Sequence, residues 1–531
     1  MVANTRRAQP EKLAERLSEA QADYSASKRS GRLRRRRKGI PPMGSGADWH
    51  YKNDSDFIWM GEVARDLDRN DVILGSVVDR VVDNTIQTGF KLNCDTGDTQ
   101  LDTDLEQRFE EESQNAEACD VAEEMTFHEQ EQMVLRDMIV AGDLFVLPVA
   151  NDQFDSGQTQ YHESHRCRSP HRTKKNIVHG IQMDDLRRRT AYYFTKEVIS
   201  PLSSTAIRLR DLVRVAAKDD EGYPQVWHCK KTRRATQTRG VTSFAPIFDV
   251  ASMHDDIEFA KLLQQQLASM FLLVRQRDMN FSPTPGLDPV GGTETYTEFG
   301  KIREGLEPGA ELKGYPGEQI LPWSANVPNA EFFPHVRLLL TLLGINLGMP
   351  LVMVLMDASE TNFSGYRGAI EQARMGFRRN QRSLVSTFHR PAWVWRVRNW
   401  MESDPAIRRA ALRSDIKLFC HSWDPPSWPY IQPLDDANAD MVREANNLIS
   451  PRRRCAERGY NWQTLINEIV DDRALGIRLA IVASLALNKE FGLEGADKVK
   501  WRDLYNPSAP QGVPLKRTEG EPSGAELTTT A

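Results

Sequence analysis

Cysteine is scarce in this chain, with 6 residues among 531 and no Cys-x-x-Cys pair. Such a count excludes a disulfide scaffold and a cysteine-based zinc module, and it favours a reducing compartment. The first residues are charged and polar, and they lack the apolar core of a secretory signal. An excess of one charge is also lacking, because 69 Lys and Arg oppose 74 Asp and Glu for a net charge of −5. This balance is not typical of a protein that neutralises nucleic acid in bulk.

Catalytic motifs are missing as well. The sequence contains no Gly-x-Ser-x-Gly and no His-Glu-x-x-His, and Gly291-Gly292 is not followed by the Gly-Lys-Ser/Thr of a phosphate-binding loop. The acidic pairs Asp219-Asp220 and Asp435-Asp436 have no companions nearby in the sequence, so solvation at the surface explains them as well as catalysis would. The sequence therefore predicts that the protein is not an enzyme and uses no cofactor.

One group of residues favours a different class, a metal-dependent enzyme. Four potential metal ligands lie within ten residues of one another: His162, His165, Cys167 and His171. Their spacing does not match a helical His-x-x-x-His pair, and the neighbouring Arg166 and Arg168 would repel a cation. A polar loop or strand is the favoured interpretation, with a metal site at His162, His165 and His171 as the alternative.

One long apolar run is a candidate for a membrane-spanning segment. Residues 338–356 carry no charge and are long enough to cross a bilayer. Gly344, Gly348 and Pro350 would interrupt one continuous helix. We therefore expect a helix buried on most sides, then a break and a short extended piece. A membrane-associated protein that uses 338–356 is the alternative.

The length of 531 residues predicts two to four domains, and 40% hydrophobic with 27% charged residues suits a folded protein. Residues 1–50 are an exception, because 28–38 carry eight positive charges and one apolar residue. This basic arm is either a solvated tail or a contact for nucleic acid or an acidic partner. The residues proposed for that contact are Arg34, Arg35, Arg36, Arg37 and Lys38.

The folded part begins near Asp56 with apolar residues at helical spacing. Short strands and turns follow, including a predicted hairpin over 182–194 with its turn near Asp184-Asp185. A helix is predicted from 246 to 280, a Pro- and Gly-rich stretch over 281–328, a second helix over 329–347 and a long helix from about 365 to 401. The tail beyond 507 is rich in Pro, Gly, Ser and Thr and predicts disorder.

Several short motifs occur in a characteristic order. They are Arg65-Asp66-Leu67, Val81-Val82-Asp83-Asn84, Gly142-Asp143-Leu144-Phe145, His179-Gly180-Ile181, Glu307-Pro308-Gly309, Asn362-Phe363-Ser364-Gly365-Tyr366-Arg367, Trp423-Asp424-Pro425-Pro426 and Ala456-Glu457-Arg458-Gly459-Tyr460. In this order they resemble the lambda-type family of tailed-phage portal proteins, over roughly residues 55–475. Two departures are Gly365, where the family signature has a second Ser, and Phe244-Ala245-Pro246, where it has Gly-x-Pro.

The resemblance implies an α+β portal fold with a wing, a stem helical hairpin, a clip and a crown-like C-terminal region, assembled as a ring. The implied segments are the arm (1–50), wing (51–245), first stem helix (246–280), clip (281–328), second stem helix (329–349), tunnel loop (350–365), long wing helix (366–402), C-terminal wing or crown region (403–506) and tail (507–531).

The resemblance also implies a function. The protein would be a homododecameric ring at a unique vertex of the capsid, acting as the channel for double-stranded DNA during packaging and ejection. Its partners would be terminase, then neck or head-tail adaptor proteins, with major capsid or scaffold protein around the rim. It would lie in the virion, and in the host cytoplasm during assembly, without contacting a membrane.

Two sets of site residues follow from these expectations. The polar residues of the tunnel loop would line the DNA channel, and the acidic ones would repel phosphates: Asp357, Ser359, Glu360, Thr361 and Asn362. The apolar patterns at 257–274 and 332–347 are wider than a solvent-facing helix needs. Ring neighbours would bury their flanks, and the candidate interface residues are Leu263, Leu267, Leu339 and Leu343.

Overall fold

A computed structural model describes residues 54–150, 157–171, 176–196, 207–269, 273–277, 295–298, 301–304, 318–322, 332–359, 361–428, 431–458, 462–493 and 495–505. The described parts mix helices and sheets, in agreement with the predicted α+β class. The chain divides into two compact units, Met1–Gly89 with Cys94–Trp423, and Phe90–Asn93 with Asp424–Ala531.

The described helices are numbered along the chain. They are α1 Asp54–Asn70, α2 Val72–Ile86, α3 Thr99–Ser113, α4 Ala116–Cys119, α5 Phe127–Val140, α6 Phe248–Ser269, α7 Phe332–Leu347, α8 Leu351–Leu355, α9 Phe363–Leu384, α10 Arg390–Ser403, α11 Pro405–Ala411, α12 Pro433–Ala445, α13 Pro451–Glu457, α14 Trp462–Glu490 and α15 Trp501–Leu504.

The described strands are short. They are β1 Lys91–Cys94, β2 Asp143–Val149, β3 Gln158–Glu163, β4 Ile177–Val178, β5 Ile181–Met183, β6 Arg189–Thr195, β7 Leu212–Ala216, β8 Trp227–Lys230, β9 Leu273–Arg277, β10 Thr295–Glu298, β11 Lys301–Glu304, β12 Glu318–Pro322 and β13 His421–Asp424. Antiparallel pairing gives the sheet orders β3-β2-β8 and β4-β5-β6-β7. The predicted hairpin over 182–194 is present as β5 and β6, whose turn lies at 184–188.

Local sequence signals explain where the helices start. The Asp71 carboxylate accepts hydrogen bonds from the backbone N–H groups of Ile73 and Leu74, both at 2.9 Å, and so caps α2. Thr126 and Glu129 form a capping box at the start of α5. The buried faces of α2 and α5 then pack together, because their apolar residues recur at helical spacing.

The sheet β3-β2-β8 is anchored by a buried ionic network. The guanidinium of Arg239 donates to both carboxylate oxygens of Asp143, at 2.7 and 3.0 Å, and also to the carbonyls of Cys167, His179 and Ser164. Gly142 has φ +95°, and a Cβ there would lie 2.6 Å from the backbone of Val241. Glycine before Asp143 therefore lets two backbone segments approach closely at this network.

The helix predicted from about 365 to 401 runs from Phe363 to Ser403. It consists of α9, a π-helical stretch over Val385–His389 and α10. At a rise of 1.5 Å per residue it is about 60 Å long. Phe388, Trp393 and Trp400 are fully buried. Phe388 packs against Phe127, and Trp393 packs against both Phe109 and Trp400, so this helix forms one wall of the aromatic core of the first unit.

Two expectations about secondary structure were wrong. The helix predicted over 246–280 ends at Ser269, and 273–277 form strand β9, which pairs with β12. The sequence Leu-Val-Arg-Gln-Arg has no helical periodicity of its own, and its partner strand is distant along the chain. The short extended piece expected after Pro350 is instead the helix α8, because Pro350 stands just before the first helical residue, where its fixed φ suits the start of a helix.

The second unit is mainly helical in its described part. Within it, Arg458 forms an ion pair with Asp440, at 2.5 Å. The amide of Asn488 on α14 exchanges two hydrogen bonds with the backbone of Val499 and holds the C-terminal segment that carries α15. Gly476 gives the ring of Tyr505 room against α14, since a Cβ would lie 2.6 Å from that ring.

Candidate functional site

The connection from α7 to α8 is a tight reversal. Gly348 has φ +78°, and the N–H of Met349 donates to the carbonyl of Gly344 at 2.9 Å. A Cβ on Gly344 would lie 2.6 Å from the Met349 carbonyl oxygen and 2.9 Å from Cγ2 of Val354. Glycine at 344 therefore lets α8 fold back against α7.

A residue of α2 that sequence reasoning missed forms a hydrogen bond with helix α8. The guanidinium of Arg80 on α2 donates to the carbonyl of Val354 at 3.0 Å, while the Val354 side chain is buried. This bond satisfies a carbonyl at the end of α8 that has no partner within the helix. Arg80 lies 274 residues away from Val354, so no local pattern in the sequence could have indicated the contact.

The polar residues expected in the channel form a compact turn after α8. Met356 has φ +54°, the N–H of Ser359 donates to the Asp357 carboxylate at 2.8 Å, and the N–H of Thr361 donates to the carbonyl of Ala358 at 3.0 Å. Asn362 caps α9 by accepting from the N–H of Gly365 at 2.7 Å. Glu360 lies outside the described residues.

The acid in this turn is held in its charged form. Hydrogen bonds from the backbone and side chain of Ser359 lower the pKa of Asp357, and its carboxylate is exposed to solvent. The structure thus brings Asp357, Ser359, Thr361 and Asn362 together within one exposed turn between α8 and α9. It presents at least one full negative charge at neutral pH.

The four residues predicted for the ring interface fall into different environments. Leu263 is 46% exposed on α6, whereas Leu339 and Leu343 on α7 are only 4% and 1% exposed within the single chain. The side chain of Leu267 is outside the described residues. Since Leu339 and Leu343 already have intramolecular contacts, their assignment to the ring interface stays a prediction that the structure of one chain does not favour.

Other residues of α6 and α7 are better placed to meet a neighbour. Helices α6 and α7 pack against each other, and Lys261 lies over the ring of Phe332. On the outer faces of this pair, several large apolar side chains are exposed: Phe259, Leu262, Leu263, Phe333, Leu338, Leu342 and Ile345. We call these seven residues the stem apolar face. Because Leu338, Leu342 and Ile345 recur at helical spacing, they share one face of α7, and an exposed apolar face of this kind marks an interaction surface.

The three candidate metal ligands do not share one environment. Nδ1 of His162 accepts a hydrogen bond from the Arg166 guanidinium at 2.9 Å, and burial, with a smaller contribution from Arg166, lowers the pKa of His162 to about 4. His165 pairs with Glu163 at 3.0 Å, and His171 is exposed. In the part of the chain that the structure describes, no group of three His, Cys, Asp or Glu side chains is placed to hold a metal ion.

Two further expectations concern membranes and the arm. Among the described helices, none is both long enough and apolar enough to cross a bilayer. The run 338–356 is divided between α7 and α8 by the reversal at Gly348. Residues Arg34, Arg35, Arg36, Arg37 and Lys38 of the arm lie outside the described residues.

The comparison with protein families is decisive. The sequence model for the phage portal protein, lambda family, matches residues 35–381. The chain belongs to this family. The family is a structural class of protein and not a class of enzymes. The matched range includes the two larger sheets, the paired helices α6 and α7 and the turn at 357–362, whereas residues 424–531 of the second compact unit lie outside it.

Solved structures with some similarity come from gene transfer agent (GTA) particles. The neck of an empty GTA particle, computed with C6 symmetry, aligns at 10% identity and a TM-score of 0.41, covering 73% of this chain and 90% of that one. The virion of a native GTA particle aligns at 11% identity and a TM-score of 0.40, covering 73% of this chain and 90% of that one. The neck of a native GTA particle, computed with C12 symmetry, aligns at 12% identity and a TM-score of 0.38, covering 72% of this chain and 88% of that one. No curated protein matches the chain.

Proposed function

We propose that this portal protein forms a closed ring of twelve copies at one capsid vertex and that double-stranded DNA passes through the ring during packaging and ejection. The observation that carries the proposal is the family match over residues 35–381. Terminase would dock on the ring during packaging, and neck or head-tail adaptor proteins would replace it afterwards. Major capsid or scaffold protein would surround the rim in the virion.

The proposal assigns the segments as follows. Helices α6 and α7 form the stem, residues 281–328 the clip, 350–365 the tunnel loop and the helix from Phe363 to Ser403 a support in the wing. The exposed stem apolar face supports this assignment, because a ring buries the flanks of each stem helix against two neighbours. The compact turn with the ionised Asp357 suits a channel wall that repels DNA phosphates and lets DNA slide.

A matched pair of substitutions on α7 tests the ring. Leu342 belongs to the stem apolar face and is 43% exposed, whereas Leu339 is buried one turn earlier. Leu342→Asp should leave the melting temperature of the chain nearly unchanged but abolish rings, because the charge would be buried at each subunit interface. Leu339→Asp should destabilise the chain itself by several kcal/mol, on the order of 3 kcal/mol or more.

Native mass spectrometry of the purified full-length chain measures the oligomer, and circular dichroism measures melting. Rings of Leu342→Asp that assemble at the wild-type concentration would contradict the role of α7 in the ring. A wild-type chain that stays monomeric at all concentrations would contradict the proposed function as a whole.

A further inference from the structure

Two segments of the chain contain no acidic residue. Residues 222–248 carry five Lys or Arg and no Asp or Glu, and residues 372–401 carry seven Arg and no Asp or Glu. The fold brings the two segments together, since Sγ of Cys229 on β8 lies 3.4 Å from the carbonyl oxygen of Thr387 and Trp227 packs against Phe388. One region of the first compact unit therefore concentrates positive charge.

Some of these cations have partners inside the chain, and others do not. Arg239 binds Asp143, and Arg398 binds Asp219 and Glu221. Four others contact no carboxylate within the described residues, and we call them the basic face: Lys231, Arg233, Arg379 and Arg382. Burial, with smaller contributions from the nearby Arg233 and Arg379, lowers the pKa of Lys231 to about 8. The basic face thus places like charges close together without a carboxylate counter-ion among the residues that the structure describes.

A second region concentrates the opposite charge. Residues 99–124, which include α3, carry ten Asp or Glu and a single basic residue, Arg108. Arg108 pairs with Glu112 on its own helix. Three exposed acids on α3 accept hydrogen bonds from glutamine amides at 2.8 to 3.3 Å and from no other side chain within the described residues. We call them the acidic face: Asp104, Glu110 and Glu111.

The two faces lie too far apart to neutralise each other within one chain. The C-terminal end of α3 contacts α10, where Arg396 donates to Ser113 at 3.0 Å and Trp400 donates to Glu112 at 2.9 Å. Arg379 precedes Arg396 by 17 residues on the same continuous helix. That separation is about 25 Å along the helix, roughly three times the screening length of about 8 Å at physiological salt.

We propose that the basic face of one protomer pairs with the acidic face of the next protomer around the ring. This proposal rests on the ring assembly proposed above. Neighbours in a cyclic ring make heterologous contacts, so each protomer must present two different surfaces that complement each other. Two faces of opposite charge at separate places on one chain meet this requirement and fix the orientation in which protomers add.

Charge reversal in the full-length protein tests the pairing. Arg379→Glu alone and Glu111→Lys alone should each raise the protein concentration for half-maximal ring assembly about fivefold or more, since each interface then opposes like charges. The double variant Arg379→Glu with Glu111→Lys restores opposite charges and should assemble close to the wild-type concentration. The single-variant defects should be largest at about 50 mM salt and nearly vanish at about 1 M salt, where screening is strong.

Matched controls change exposed charges elsewhere. Arg409→Glu on α11 and Asp435→Lys on α12 should leave assembly unchanged. A double variant that assembles no better than the worse single variant would overturn the proposal. So would an Arg379→Glu protein that forms rings normally but retains less double-stranded DNA in a gel-shift assay, because the basic face would then be a DNA contact. Absence of rings in the wild-type protein would instead reject the proposed function.

Discussion

The sheet β3-β2-β8 and the helices α6 and α7 differ in how completely contacts within one chain satisfy their side chains. Around Asp143, a buried carboxylate, a buried guanidinium and several carbonyls form a network in which both charged groups have partners. On α6 and α7, by contrast, large apolar side chains such as Phe259 and Ile345 are exposed at 69% and 67%. A single chain therefore satisfies the groups around Asp143, whereas α6 and α7 leave apolar surface uncovered, as the proposed ring requires.

Electrostatics explain the stability of the buried ionic network around Asp143. Burial opposes ionisation of Asp143, but the charge of Arg239 and the hydrogen bonds from His228 and Arg239 outweigh it, so the pKa of Asp143 lies well below its usual range. Burial also lowers the pKa of His228 to about 3, although its hydrogen bond to Asp143 acts in the opposite direction. At neutral pH the network is therefore an ion pair of Asp143 and Arg239 with a neutral His228.

Removing one partner of the buried ionic network around Asp143 should have the largest effect on stability. Arg239→Leu leaves the Asp143 carboxylate buried without a cation, and we expect the free energy of unfolding of the first unit to fall by about 3–5 kcal/mol. Urea denaturation followed by tryptophan fluorescence measures this change. Arg398→Leu, which breaks a surface pair with Asp219 and Glu221, should change stability by about 1 kcal/mol or less. Equal effects of the two substitutions would contradict the distinction between the buried network of Asp143 and the less buried ion pairs of Arg398.

Acid should have a smaller effect on the stability of the first unit, and this effect should develop gradually as the pH falls. His228 and His162 have folded-state pKa values of about 3 and about 4, whereas an unfolded histidine titrates near about 6.5. Between these values the two histidines bind protons in the unfolded chain but not in the folded chain, so their contribution lowers stability as the pH decreases from about 6.5 toward 4. Asp137, whose folded-state pKa burial raises to about 6, acts in the opposite direction over part of this range. Asp143, with its lowered pKa, contributes stability above about pH 3.9 that is lost at still lower pH.

Melting curves between pH 7 and pH 5 test this assignment. His228→Gln removes one titrating group while keeping an amide that can donate to Asp143, so its melting temperature should depend less steeply on pH than that of the wild type. An unchanged slope would show that His228 is not responsible.

The smallest effect on folding is expected in the turn between α8 and α9. Replacing Asp357 and Glu360 together with Lys should change stability by no more than about 0.5 kcal/mol and leave rings assembled, since Asp357 is exposed. If these acids face the DNA, packaging in vitro should slow, most strongly at low ionic strength. Lys at both Asp435 and Asp436 makes the same charge change elsewhere and should have no effect. Unchanged DNA uptake by the first variant at every salt concentration would remove the turn from the channel.

Local signals in the sequence predicted those parts of the fold that local physics determines. The hairpin of β5 and β6 depends on turn chemistry within a few residues. Strand β9 was mistaken for helix because its partner, β12, lies more than 40 residues further along the chain. Pairing between distant strands leaves no periodic signal in either segment.

The candidate interface on α7 shows a second limit of sequence reasoning. Residues 338–347 are apolar around most of the helix, so no polar face marks the side that meets the rest of the chain. The sequence therefore suggested Leu339 and Leu343, whereas the structure buries these two inside the chain and leaves Leu338, Leu342 and Ile345 exposed. The charge bias behind the basic and acidic faces, by contrast, is visible in the sequence itself, because two segments lack acidic residues and a third has a single basic one.

The central claim is that the stem is completed by neighbouring copies of the same chain in a ring. Negative-stain electron microscopy of the purified full-length protein at micromolar concentration tests it most directly. The account predicts closed rings with a central opening and twelve subunits in class averages viewed down the ring axis. Particles that are uniformly monomeric, or assemblies without a central opening, would contradict it.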